Sequence, residues 1–388
     1  KYLLENPHGC IMTLVPKKGL AAQREKELEE KLEAYRSSLS EEQLDAMVEK
    51  TKALEAYQEA GEDPKALECI PMLKRSYVDL MFKTDSIAPE QIPYLGLLKS
   101  VLGYVDTENY TYGELFNEIN ANTGGINCGV EVFDRADSTE EFQAMFSVRG
   151  KALYTKMDFL FKMIGEILNS SKLEDTKRLY EIVASVKSRA QVNLTGAGHS
   201  TAVLRAAAYS SPMAAFQDEM AGIGYYQFIE KLEKDFEQRK EETVEELCKL
   251  MKKILRPENF MISYTGERES LETVQKLAGA VKAGLGTEPV EKSEEKLTCT
   301  KKNEGFKTSG QVQYVAQTGN FKKKGLEYTG ALEILKVILS YDYLWMNLRV
   351  KGGAYGCMSG FKRNGESYLV SYRDPHLKRT LDVYKGIP

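Results

Sequence analysis

The stretch WMNLRVKGGAYGC, residues 345–357, joins the end of a predicted helix to the start of a predicted strand. Gly352 and Gly353 permit a tight turn, or the close approach of another backbone, because glycine has no Cβ. Arg349 precedes the two glycines and Tyr355 follows them. The turn is therefore predicted to carry a fixed cation on one side and a phenol on the other.

Two roles are compatible with the chemistry of Arg349 and Tyr355. Both side chains donate hydrogen bonds, and arginine stays charged at any working pH, so the pair suits an anionic tetrahedral intermediate or a peptide carbonyl. A structural role is also open, because an arginine at a helix C-terminus complements the helix dipole and a tyrosine in a strand is ordinary. The residues by themselves favour the structural role.

The elements around this stretch predict part of an α+β domain. In chain order they are a strand at residues 311–316, a helix at 328–345, the two strands of a hairpin at 354–361 and 367–372, and a helix from 376 to 384. Asn364-Gly365 is typical of the hairpin turn. Too little chain follows to cover this sheet before Pro388, so we expect a truncated domain.

Upstream, strands and helices interleave from about residue 67 to residue 284. The predicted strands lie at 78–82, 126–133, 142–149 and 260–264, and the predicted helices at 92–103, 112–122, 154–168, 174–193 and 224–255. This order indicates an α+β fold in which helices pack on a mainly antiparallel sheet. The polar segment 287–300, rich in Glu, Lys and Ser, is typical of a linker or a domain boundary.

The first 66 residues predict a connector. Residues 1–16 lack a starting Met and a signal-peptide pattern, and they suggest a strand that opens inside a fold. Residues 17–66 predict a helical hairpin linker with a thin apolar stripe, and the SEEQ sequence from Ser40 to Gln43 is a capping box for its second helix. A partner-binding coiled coil would require heptads sustained for longer than these.

Bulk composition excludes several classes of protein. The 388 residues have a net charge of −4 and a pI near 5.8, which argues against a nucleic-acid partner. Charges recur throughout, so we expect no membrane span. The six cysteines form no CxxC pair, and reduced thiols are the expectation.

No metal site is predicted in this chain. A zinc peptidase needs clustered imidazole and carboxylate ligands. The three histidines, His8, His199 and His376, are far apart in sequence, and none lies in an HxxE setting. The glycine-containing run at 196–201 lacks the spacing and the lysine of a phosphate-binding loop, so it predicts a loop and a helix start.

The segment RVKGGAYG, residues 349–356, is similar to the Arg/Tyr segment of the pitrilysin (insulinase) family of metallopeptidases, in particular its presequence-protease branch. Other motifs extend the resemblance along nearly the whole chain. They are KYLLENPH (1–8) with the following Glu/Lys hairpin, YLGLLKSVL (94–102), TGGIN (123–127), GHSTAVLRAAAYSSP (198–212), GIGYYQF (222–228), EYTGALEILKVILSYDYLW (327–345) and SYRDPHLKRTLDVY (371–384).

The resemblance implies a domain organisation. In that family four homologous α+β domains form two bowls joined by a helical hairpin, and they enclose a chamber in which peptides are cut. The chain would then comprise the end of a preceding domain (1–16), the hairpin linker (17–66), a third domain without a metal motif (67–290) and the first part of a fourth (291–388). The helix at 92–103 would take the place of the zinc helix, and it contains no histidine.

The resemblance also implies site residues. Arg349 and Tyr355 match the residues that hold substrate and stabilise the oxyanion at a zinc ion in the intact enzyme. Gly352 and Gly353 would let the substrate backbone approach. Zinc would be bound by an HxxEH motif in the first domain, so we expect zinc in the parent enzyme and no cofactor in this fragment.

Two functional hypotheses follow. In the first, the chain is the C-terminal part of a zinc metalloendopeptidase of short unfolded peptides, its partners are peptide substrates and the N-terminal half of the same polypeptide, and the fragment alone is inactive. In the second, it is part of a non-catalytic scaffold or assembly subunit. The compartment stays open: cytoplasmic for a bacterial protein, mitochondrial or plastid for a eukaryotic one.

Overall fold

The computed structural model describes residues 20–59, 75–293, 295, 297–308 and 310–387 of the 388 residues. The chain forms two compact units, residues 1–72 and residues 73–388. The strand predicted within residues 1–16 lies outside the described residues, as does the end of the predicted hairpin after residue 59. In the described part of the chain, no helix is both long and apolar enough to cross a lipid bilayer.

In the first unit two helices follow one another, α1 (Leu20–Ser38) and α2 (Glu41–Glu59). The predicted capping box is confirmed: the Gln43 backbone N–H donates to Ser40 Oγ at 3.3 Å, and the Ser40 N–H donates to the Gln43 side chain at 3.0 Å. The apolar stripe, in contrast, is 47 to 58% exposed at Leu28, Leu32, Tyr35, Met47, Val48 and Leu54. The helices are therefore defined by their caps and propensities, and their stripe is not buried.

The second unit contains a four-stranded sheet. Its strands are β1 (Arg75–Lys83), β2 (Ile126–Asp134), β3 (Phe142–Leu153) and β4 (Phe260–Thr265), in the spatial order β2-β3-β1-β4 with every pair antiparallel. Leu80 in the central strand β1 lies opposite Val148 of β3 and Ile262 of β4. Ser76, Val78, Leu80 and Phe82 are buried on one face, because successive residues of a strand point to opposite faces, and Met81 is covered on the other.

Nine further helices of the described chain lie in this unit between residues 92 and 283, and all but the one at Gly198–Ala207, which packs on a second sheet, surround this sheet. They are α3 (Ile92–Val101), α4 (Tyr112–Asn122), α5 (Met157–Ser170), α6 (Thr176–Gly196), α7 (Gly198–Ala207), α8 (Pro212–Ala221), α9 (Ile223–Lys234), α10 (Phe236–Ile254) and α11 (Leu271–Ala283). Helix α3 is buried along most of its length, with Leu95 and Leu97 fully enclosed. The predicted α+β class, with helices on an antiparallel sheet, is confirmed.

A second, smaller sheet in the same unit carries the Arg349 stretch. Its strands are β5 (Ala316–Asn320), β6 (Gly356–Phe361) and β7 (Glu366–Tyr372), ordered β5-β7-β6 and antiparallel. Helix α12 (Ala331–Ile338) continues as a π-helical segment (Leu339–Val350), and α13 (Lys378–Lys385) follows the sheet. A small core of Val315, Leu339, Leu344, Leu348, Ala354 and Tyr384 holds these elements together.

Some predicted elements are wrong in their bounds. The strand expected at 311–316 lies at Ala316–Asn320, and within 311–315 only Gln313 forms a bridge, to Asp374. The single helix expected at 224–255 is interrupted at Asp235, whose φ of −102° and ψ of 19° are not helical. The helix start predicted within residues 196–201 corresponds to α7, which begins at Gly198, whereas α8 was not predicted. The hairpin around Asn364-Gly365 is confirmed, with Gly365 at a φ of 92°.

Candidate functional site around Arg349

The helix that carries Arg349 ends in a glycine cap. Gly353 has a φ of +79°, a conformation that favours glycine. Its N–H donates to the Arg349 carbonyl at 2.9 Å, and the Ala354 N–H donates to the Leu348 carbonyl at 2.9 Å. These bonds satisfy carbonyls that the helix end would leave without partners. The chain then reverses direction into β6, so that Arg349, before the turn, and Tyr355, after it, lie close to each other.

The two glycines have different surroundings. Gly352 is buried, and a Cβ built on it would lie 2.4 Å from the Leu348 carbonyl oxygen. Its backbone therefore packs closely against the helix that precedes it. Gly353 is exposed, and a Cβ there would lie 3.7 Å from Pro375. Contact of either glycine with a substrate backbone stays a prediction, while both have a structural role in the turn.

The turn brings Arg349 and Tyr355 together. Arg349 Nη1 donates to the carbonyl oxygen of Tyr355, and the guanidinium carbon lies 5.0 Å from the centre of the Tyr355 ring. The same carbon lies 4.9 Å from the centre of the Trp345 ring, one helical turn earlier. Cation–π contacts of this kind restrict the guanidinium without neutralising it. Trp345 belongs to the same segment, but the sequence alone indicates no role for it.

The Tyr355 ring stands at the surface. It is 64% exposed, and it packs edge-on against Tyr372 of the neighbouring strand, with ring centres 5.9 Å apart. Tyr372 in turn contacts His199 at the start of α7, at 4.9 Å between ring centres. A row of rings thus fixes the base of Tyr355 and leaves its outer part accessible.

An open groove of about 590 Å³ lies beside the pair. Seven residues line it: Val312, Arg349, Val350, Gly353, Ala354, Tyr355 and Arg373. Arg373 was not singled out from the sequence. Its place depends on how the two hairpin strands pair beside Tyr355, where the regular register ends at Gly356 and Tyr372, and the sequence does not show this.

A second cavity, of about 270 Å³, lies between helices α7 and α8 and the small sheet. Its buried carboxylate, Glu366, accepts hydrogen bonds from Ser211 Oγ at 2.6 Å and from Lys362 Nζ at 2.7 Å. Both donors belong to this chain, so the buried carboxylate already has its hydrogen-bond partners. Its bond to Ser211 connects the start of α8 to strand β7.

The described residues do not fit a metal centre. Over residues 20–59, 75–293, 295, 297–308 and 310–387, no group of three or more His, Cys, Asp or Glu side chains is placed to hold a metal ion. His199 packs against Tyr372, and the exposed His376 begins the loop before α13. The chemistry available here is hydrogen-bond donation and positive charge.

Family models match most of the chain. One, described as associated with subfamily C of the M16 peptidases, matches residues 14–76 and 76–232, and one described as "PreP C-terminal domain" matches residues 303–387. Together they cover the helical connector, strands β1 to β3 of the four-stranded sheet and the Arg349 stretch.

Curated relatives extend beyond this chain. Protein HypA of Clostridium perfringens is 35% identical, over all of this chain and 43% of its own length. Presequence protease 1, chloroplastic/mitochondrial, of Arabidopsis thaliana is 27% identical, over all of this chain and 39% of its own length. The chain therefore spans less than half the length of these relatives. Among solved structures, a protease from Helicobacter pylori is similar in fold, with a TM-score of 0.52 and 15% identity over 80% of this chain and 73% of that one.

Proposed function

Because the chain belongs to the pitrilysin/insulinase family of M16 peptidases and resembles its presequence-protease branch, we propose that it is part of a zinc-dependent endopeptidase that cuts short unfolded peptides. Its own contribution would be to hold the peptide at the Arg349 groove. Residues 67–290 would be the third domain of that enzyme and residues 291–388 the first part of the fourth.

The observation that supports this proposal best is the convergence of Arg349 and Tyr355 at one open groove. A peptide carbonyl in the groove can accept from the guanidinium and from the phenol. Negative charge develops on that oxygen when the carbonyl carbon becomes tetrahedral, and a fixed cation beside it lowers the energy of this state more than that of the substrate. Because Trp345 and Tyr355 restrict the guanidinium beforehand, little reorganisation is needed at that moment.

The remaining chemistry belongs to residues outside this chain. Since no described cluster suits a metal ion, we assign the zinc and the general base to the N-terminal half of the same polypeptide. The isolated chain is then expected to bind peptide but not to cleave it. The compartment of the parent protein would be the cytoplasm in a bacterium, or a mitochondrion or plastid in a eukaryote.

The proposal is tested in the full-length polypeptide with a fluorogenic peptide substrate. Removing one oxyanion donor typically lowers kcat by about 10²- to 10³-fold, and we expect losses of this size for Arg349→Gln and smaller ones for Tyr355→Phe. Arg363→Gln is the matched control, because Arg363 is also an exposed arginine of the small sheet but lies at the far end of its hairpin. A kcat within twofold of the wild type for both groove variants would contradict the proposed role.

Two further results separate the hypotheses. Chelator-sensitive proteolysis by the purified 388-residue chain would show that the chemistry does not need a second half. Absence of any peptidase activity in the full-length polypeptide, with zinc supplied, would favour the non-catalytic scaffold instead.

A further inference from the structure

We propose that Arg373 is a second binding residue of the groove and that it takes a carboxylate of the peptide, either the C-terminal carboxylate or an Asp or Glu side chain. The inference rests on the proposed function, because it names the substrate chemistry of the same groove. It assigns different tasks to the two arginines: Arg349 faces a carbonyl at the reacting bond, and Arg373 anchors a charged group next to it.

Both guanidiniums line one groove without an acidic partner. None of the ion pairs in the described part of the chain includes Arg349 or Arg373. Two like charges beside a shared groove repel one another, and a bound anion relieves this repulsion. The groove therefore favours a peptide that brings negative charge.

Arg373 is directed to the groove by a local break in the sheet. The Tyr355 N–H donates to two carbonyls, that of Tyr372 at 3.0 Å and that of Arg373 at 3.3 Å. Two residues of one strand thus face one residue of the other, which is the pattern of a β-bulge. Arg373 has a φ of 48°, and among the described residues no other residue except glycine has a positive φ. Strained backbone of this kind persists where the surrounding structure holds it.

The adjacent carboxylate does not neutralise Arg373. Asp374 is 1% exposed, and its two oxygens accept from the His376 N–H at 2.8 Å and from Thr380 Oγ1 at 2.6 Å. Both bonds hold the start of α13 and lie inside the fold. The charge of Arg373 consequently faces solvent and the groove.

The donors of Arg373 are available, whereas those of Arg349 are partly used. Arg349 donates to the Tyr355 carbonyl oxygen. The Arg373 guanidinium lies over the Tyr372 ring, with its carbon 5.5 Å from the ring centre. A guanidinium offers two parallel N–H groups that match a carboxylate, so an Arg373 fork suits that ligand. Val312 and Val350, 37% and 60% exposed, provide an apolar wall for the neighbouring side chain.

The test measures peptide binding by the 388-residue chain with fluorescence anisotropy. Four labelled peptides share one apolar sequence. The first has a free C-terminus and the second a C-terminal amide. The third and fourth carry the amide together with one Glu or, at the same position, one Gln. We expect the free acid, the Glu peptide or both to bind about tenfold tighter than the uncharged forms, the size expected for a charged hydrogen bond. Which of the two gains affinity identifies the source of the carboxylate.

Variants assign this preference to Arg373. Arg373→Gln should reduce the preference for the charged peptides to less than twofold. Arg373→Gly should do the same, and since glycine tolerates the positive φ it also controls for misfolding. Arg363→Gln should keep the full preference.

Two outcomes overturn the inference. Equal affinity for all four peptides, or a preference that survives in both Arg373 variants, rejects the carboxylate site and leaves the peptide groove in place. Absence of binding by all four peptides rejects the inference together with the proposed function.

Discussion

Arg349 Nη1 donates a hydrogen bond to the carbonyl oxygen of Tyr355, six residues later in the chain. This bond closes a loop across the two glycines and joins the last turn of a helix to the residue that precedes strand β6. The same guanidinium also lies against the Tyr355 ring, so the position of each residue depends on the other. A change at either residue should therefore alter both the charge and the shape of the groove.

Trp345 is the sole tryptophan of the chain, and it lies against the Arg349 guanidinium. We expect Arg349→Gln to shift the emission maximum or the intensity of Trp345, because the charge beside the indole is removed. Arg363→Gln should leave the emission unchanged. Identical spectra for the wild type and Arg349→Gln would contradict the contact.

Gly352→Ala should destabilise the second unit more than Gly353→Ala. A Cβ at Gly352 would lie 2.4 Å from a backbone oxygen that cannot move freely, whereas at Gly353 the main cost is the positive φ, about 1 kcal/mol. Urea unfolding of both variants measures the difference. Equal unfolding free energies would show that the helix end tolerates a side chain at Gly352.

Gly96→Ala tests the packing around α3. A Cβ there would lie 2.5 Å from the Met220 carbonyl oxygen and 2.7 Å from the Tyr225 ring, so we expect a loss of about 1–3 kcal/mol in unfolding free energy. Gly279→Ala is the matched control inside α11, where nothing lies within 4 Å, and it should stabilise by about 0.4–1 kcal/mol. A Gly96→Ala variant as stable as the wild type would refute the close approach.

Asp218 forms a buried ion pair with Arg205, at 2.6 Å, and also accepts from the N–H groups of Ile223 and Gly224. Since Asp218 is 1% exposed, Asp218→Asn should cost up to about 3–5 kcal/mol, because it removes the buried partner of Arg205 and leaves only the more exposed Glu304. Glu304→Gln removes a more exposed partner of the same arginine and should cost about 1 kcal/mol or less. Chemical unfolding of the two variants gives the comparison, and similar costs would argue against the buried pair.

Burial raises the pKa of the Cys128 thiol to about 12. At pH 8 the thiolate fraction is then on the order of one in ten thousand, so iodoacetamide should modify Cys128 very slowly in the folded chain. The rate should rise with pH while the chain stays folded, and it should approach that of a free thiol in urea. Site-resolved mass spectrometry follows the reaction, and equal rates in the folded and unfolded chain would contradict the prediction.

Local patterns in the sequence determined most of the helices and strands. Alternation of apolar residues predicted β1, and the Ser40 to Gln43 pattern predicted a cap that the structure contains. These features depend on residues only two to four positions apart, so they can be read without knowing the fold. Arg349 and Tyr355, in contrast, were predicted as site residues from the resemblance of RVKGGAYG to a family segment, since their local pattern alone favoured a structural role.

Only the tertiary structure decided how that order becomes a groove. The bulge opposite Tyr355 brings Arg373 to the site, and the same break in the ladder leaves Gln313 as a single bridge before β5 begins at Ala316. The bulge is a break in the register of the hairpin strands, and the bridge joins Gln313 to Asp374, which is distant in sequence; no local pattern records either. The sequence therefore determined which donors are present, and the non-local backbone pairing determined which of them share a groove.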